Sequence, residues 1–260
     1  MQENVFEKLL SQILLEYSDR YGTVPDDTKY IFTNNMQAEY HKYRPDLAIK
    51  EPEKFATLNQ YNGLMVPPLS ADGMFVVLIN LPLLLQYNNM TWVGTIAHET
   101  THIIDYRAFA ALIHASDFED ITRIDKHLPF QLWTESNARA RGYYFVRRYT
   151  FDDISDISQV PDILNTELPW QAEFVNKQVA STTDGAMQTY YLSHFIGRLY
   201  ALNQIFPTVF TLDWVKSYFG EATWLYEWFC FFCEHQTVES AYRDSESFKR
   251  ILRKHYMDLK

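Results

Sequence analysis

The spacing of apolar positions separates a short strand-bearing stretch from long helical ones. Residues 4–17 place Val5, Phe6, Leu9, Leu10, Ile13, Leu14 and Tyr17 three or four apart, which predicts an amphipathic first helix. Gly22 and Pro25 stop it. Residues 26–70 hold Pro45, Pro52 and Val66-Pro67-Pro68 and predict broken, loop-rich structure. Met74-Phe75-Val76-Val77-Leu78-Ile79-Asn80 is continuously apolar and β-branched, bounded by Asp72-Gly73 and Pro82, and predicts a buried strand. A linking turn or short helix occupies 81–90. From Thr91 to about His114 the pattern is helical, with Gly94 its one weak position.

Ser116 to Pro129 is a polar connection with room for a helical turn, and a second helix runs from about Leu132 to Tyr149. After Phe151-Asp152-Asp153 the patterns are helical throughout, at Leu168–Ala180, Met187–Ile205, Leu212–Tyr218 and Trp224–Tyr256. The expected fold is α+β and predominantly helical. A first domain, 1–150, carries a small sheet packed on a helix; an all-helical region, 151–260, packs against it.

One helix breaks its own apolar character. Within VGTIAHETTHIIDY, from Val93 to Tyr106, two histidines and a glutamate interrupt an uncharged run. Burying such groups is costly unless something satisfies them. His98-Glu99-Thr100-Thr101-His102 is an HExxH sequence, and positions i and i+4 share one helix face, so both imidazoles can reach a single ion. Glu99, beside the first histidine, can contact a metal-bound water without being a ligand. A zinc ion lowers the pKa of that water, and the carboxylate takes its proton during attack on a carbonyl. With 8 histidines in 260 residues, chance yields this motif in about one or two chains per hundred, so the apolar flanks matter to the reading. The strand at 74–80 lies just upstream, where a zinc peptidase keeps the edge strand that pairs with its substrate's backbone.

A catalytic zinc needs a third protein ligand and an open fourth position. The position six residues past His102 is Ala108, which cannot ligate. Asp105, three residues past His102, and Glu135, in LWTESNARARGYYF, are the candidates. Glu135 is the preferred ligand: it lies early in the second helix, and Ala138 and Gly142 are small on the same face. Asp105 then orients a ligating imidazole or pairs with Arg139.

These motifs resemble the minimal zinc peptidases of the ImmA/IrrE type, which are gluzincins. The order VVLIN, TIAHETTH, ESNARARGYYF matches that family's strand, HExxH helix and glutamate-bearing helix, over roughly residues 1–150. The resemblance implies a zincin-like catalytic domain, one zinc ion per chain held by His98, His102 and Glu135, and cleavage of a protein or peptide. The chain departs from the family in having Arg-Gly-Tyr-Tyr downstream of Glu135 and no recognisable helix-turn-helix. For the developing negative charge, TYYLSHFIGRLY offers Tyr190, Tyr191, His194 and Arg198 at helical spacing. His194 and Tyr191 are carried as the candidate catalytic pair, and Tyr143 and Tyr144 are equally placed. The remaining histidines, His41, His114, His127, His235 and His255, show no ligand spacing. A rival of another class is a non-catalytic module that keeps the scaffold and binds a protein partner.

Composition narrows the partners. Lysine and arginine total 23 against 33 acidic residues, a net charge of −10 that repels phosphate backbones. Arg139, Arg141, Arg147 and Arg148 are too interrupted by aromatics to offset it, so no nucleic-acid partner is expected. The apolar run MFVVLINLPLLL is short and holds Asn80 and Pro82, which argues against a membrane span, and MQENVFEKLL has no leader-peptide pattern. A cytoplasmic location is expected. Cys230 and Cys233, a lone pair in WFCFFCEH, read as small apolar residues on a helix.

Overall fold

A computed structural model of the chain describes residues 3–70, 73–86 and 90–255. The expected boundary at Asp72, part of the linking turn at 87–89 and the expected helix end at Tyr256 lie outside the described residues. The fold is α+β and predominantly helical, with one three-stranded sheet. Two compact units are present, Met1–Glu119 and Asp120–Lys260. The helix bearing Glu135, read in the sequence with the first domain, belongs to the second unit.

In the first unit, helix α1 (Glu3–Tyr21) ends where Gly22 adopts φ 110°, a conformation that side chains disfavour. Strand β1 (Thr28–Thr33) follows, then α2 (Met36–Tyr43), two short helices α3 (Leu47–Lys50) and α4 (Pro52–Thr57), and strand β2 (Gly63–Val66). The loop-rich expectation for 26–70 thus missed two strands and three helices, two of them short. Strand β3 (Phe75–Asn80), the short α5 (Leu81–Leu84) and α6 (Thr91–Ile113) complete the unit.

The sheet order is β1-β3-β2, with β1 parallel and β2 antiparallel to β3. The strand at 74–80 is therefore central. This corrects the expectation of an edge strand: all six β3 residues are buried, and an unbroken apolar run is what a strand covered on both faces requires. The edges on either side of it are β1 and β2. Val76 and Leu78 face a cluster of Val66, Met36, Tyr40, Leu47 and Leu58. Phe75, Val77 and Ile79 point the other way, each fully buried and each contributing about 1.5–3 kcal/mol. On that side α6 runs against β2 and β3. Gly63 makes this possible, since a Cβ there would lie 2.3 Å from the Thr95 Cγ2.

Among its described residues the second unit is all helical. Its first helix, α7 (Ile124–Thr150), starts earlier than expected and kinks at His127, just ahead of Pro129. After the one-turn α8 (Val160–Asp162) and a wide turn at Ile163–Glu167 come α9 (Leu168–Ala180) and α10 (Gly185–Ile205). Helices α7 and α10 cross closely at Gly197, whose absent Cβ would lie 2.2 Å from the Ser136 carbonyl oxygen. Then follow α11 (Leu212–Phe219), α12 (Thr223–Glu234), α13 (Val238–Arg243) and α14 (Ser245–Arg253). One helix was expected over Trp224–Tyr256. The chain breaks instead at Thr237, whose side chain and that of Ser240 cap each other's backbone and start α13. Phe231 then stacks on Phe248 at 4.6 Å and closes this end of the core.

Candidate metal centre

The HExxH motif sits at mid-length on α6, a helix buried on nearly every side. His98 and His102 present their Nε2 atoms 3.1 Å apart, a separation two ligands of one ion can share. Glu99 is buried, and its Oε2 accepts the Met65 backbone N–H of β2 at 2.8 Å. Both intervening threonines are fully buried. Thr100 Oγ1 donates to the Ile96 carbonyl and Thr101 Oγ1 to the Ala97 carbonyl, each at 2.7 Å. A hydroxyl has one proton, so each Oγ1 is left as an acceptor. Tyr30 meets Thr100 and Tyr17 meets Thr101, both at 2.7 Å, and the tyrosines must therefore donate. Burial pushes the Tyr30 phenol above its ordinary value, which keeps it a donor.

Glu135 lies on α7 in the second unit and is 2% exposed. The Arg139 Nε donates to its Oε1 at 2.8 Å, one turn along the helix. The His194 Nε2 lies 3.0 Å from the same oxygen, and the Tyr190 hydroxyl donates to Oε2 at 3.1 Å. Tyr190 and His194 are i and i+4 on α10, so they share the face turned to Glu135. Tyr191 lies off that face: its contacts with Tyr190 and His194 are ring to ring, at 6.0 and 6.3 Å. Of the candidate pair, His194 reaches Glu135; the hydroxyl that joins it is that of Tyr190.

One ligand atom each from His98, His102 and Glu135 lies within 4.8 Å of the other two, a group that could hold a metal ion. Two imidazoles and a carboxylate match the donor set of an open zinc site. Asp105, buried one turn past His102, is not in the group.

Other candidates fall elsewhere. Arg198 donates to Glu167 at 2.5 Å and packs over the Tyr143 ring at 4.5 Å, beside the buried Arg147. Tyr143 and Arg198 thus belong to a separate ionic cluster, and Arg147 is spent there rather than on a basic surface. Cys230 and Cys233 are free, half-buried thiols on α12, and burial pushes Cys233 up to about 12. His127 and His235 pair with Asp120 and Asp244 at 3.2 and 3.3 Å. Among the described residues, no helix is long and apolar enough to cross a membrane.

No protein-family model, curated protein or solved structure matches the chain. Of the groups that meet the motif, Tyr17 was read only as an apolar-face residue of the first helix, and Tyr30 and Met65 went unread in the sequence. They stand 84, 70 and 34 residues from their partners, and no spacing rule connects them.

Proposed function

We propose that the protein is a zinc-dependent metallopeptidase with a zincin-like catalytic domain of gluzincin type. The reading is supported by the two imidazoles of the HExxH motif and the buried Glu135 carboxylate, which form a group that could hold a metal ion. In this reading the two imidazoles bind through Nε2 and Glu135 through its carboxylate, with Asp105 as an orienting group on α6. A bound zinc ion would supply a polarised water and a Lewis acid for the substrate carbonyl.

The protein's own groups do the rest. Glu99 takes the proton of the attacking water and returns it to the leaving amine. The Met65 N–H holds one oxygen of the Glu99 carboxylate and fixes its orientation beside His98. Arg139, Tyr190 and His194 fix the Glu135 carboxylate, as ligating carboxylates require. The substrate is a protein or peptide.

Elemental analysis tests the reading. We expect about one zinc per chain, a loss of at least tenfold in affinity in Glu135→Ala, and a smaller loss in Asp105→Ala. Glu99→Gln is expected to keep zinc and to abolish cleavage of a peptide library. Unchanged occupancy in Glu135→Ala, or full activity in Glu99→Gln, contradicts it.

A further inference from the structure

The two middle residues of HExxH are commonly treated as fillers, yet here each is tethered. On a helix, Thr100 lies about 200° around the axis from His98, and Thr101 about 60° before the direction of His98. The Tyr30 hydroxyl, from β1, therefore grips the back of α6, directly opposite the imidazoles. The Tyr17 hydroxyl, from α1, grips the flank away from Glu99. On the other flank the Met65 N–H of β2 holds Glu99 itself. Three different elements thus bear on one helical turn from three directions.

We propose that Tyr17 and Tyr30 are positioning residues that set the rotation of α6 about its axis, and through it the convergence of His98 and His102 on the metal. The inference rests on the zinc reading and adds to it the groups that aim the motif. Rotation matters because a site must hold its ligands within about 0.5 Å and 10–20°. The imidazole tips stand farther from the axis than the threonine hydroxyls and amplify any twist. Packing alone permits such a twist, since the apolar neighbours of α6 are non-directional. A donated hydrogen bond is directional and resists it.

The test uses zinc alone, in competition with a chromophoric chelator, on full-length protein well below its melting temperature. Tyr17→Phe and Tyr30→Phe are each expected to weaken zinc binding about fivefold, and the double variant about tenfold or more. Each phenylalanine keeps the ring and its packing, and each threonine keeps its bond to the preceding turn. Thr100→Val is expected to match Tyr30→Phe, the pair combined to lose no more than either, and Thr100→Ser to restore wild-type affinity. With cobalt as the probe, the visible absorption bands of the phenylalanine variants are expected to shift. Phenylalanine variants that bind zinc as wild type does, with unshifted cobalt bands, overturn the proposal. A wild-type protein that takes up no zinc overturns the metal reading and this proposal with it.

Discussion

Two carboxylates in the helical unit invite comparison. Glu135 and Glu167 are each met by a side chain from α7 and another from α10: Arg139 and His194 for the first, Arg147 and Arg198 for the second. A tyrosine accompanies each, Tyr190 at Glu135 and Tyr143 beside Arg147 at Glu167. The difference lies in charge and depth. Glu167 pairs with Arg147 and Arg198 and its side chain is 26% exposed; Glu135 pairs with Arg139 and His194 and its side chain is 3% exposed. Burying a carboxylate as deeply as Glu135 is expensive in a low-dielectric setting. A divalent ion bound at Glu135 would offset part of that cost. Similar helix-to-helix geometry therefore serves a structural ion cluster at one level and a candidate metal ligand at another.

The largest effect should come from the crossing that both clusters share. Gly197→Ala places a Cβ 2.2 Å from the Ser136 oxygen and 2.9 Å from the Arg139 Cβ, so α7 and α10 must separate. We expect a loss of about 3 kcal/mol in urea unfolding, and weaker zinc binding as Glu135 shifts. Next is a paired removal of arginines in metal-free protein. Arg147→Ala leaves Glu167 to Arg198 alone and empties the space of a buried guanidinium packed on the Tyr143, Phe151 and Phe206 rings, and is expected to cost about 3 kcal/mol. Arg139→Ala removes a side chain 43% exposed and is expected to cost under about 1 kcal/mol, while lowering zinc affinity. Equal losses in stability would break the comparison.

The smallest effect concerns Tyr143. Burial first, and then the Glu167 charge, raise its phenol above the ordinary tyrosine value. A raised folded value means that this group's contribution to stability is fully present below about pH 10 and declines as pH rises beyond it, because the unfolded phenol ionises first. Tyr143→Phe should cost about 1 kcal/mol at pH 7, with the gap to wild type narrowing above pH 10. A gap that widens with pH would contradict the assignment.

The most legible parts of the sequence were those governed by local physics. The helix expected from Thr91 to about His114 spans Thr91–Ile113, and the buried strand expected at 74–80 spans Phe75–Asn80. Each is long or apolar enough for periodicity to speak. Strand β2 has four residues and abuts Pro67-Pro68, so its pattern never develops, and Pro129 hides the true start of α7. At the site, His98, Glu99 and His102 announce themselves by spacing, and Glu135 by its place in a later helix. Tyr190 was weighed beside Tyr191, but only the register of α10 decides between them. Tyr17 and Tyr30 carried no signal, because a tyrosine donating across 70 or more residues has the local sequence of any core tyrosine.

Zinc-edge X-ray absorption on the zinc-loaded protein tests the central claim most directly. The account predicts one zinc per chain with a shell of light atoms at about 2.0–2.1 Å, two of them imidazole nitrogens, and a shell that loses an oxygen or fails to form in Glu135→Ala. The same shell in wild type and Glu135→Ala, or a shell containing sulfur, would contradict it.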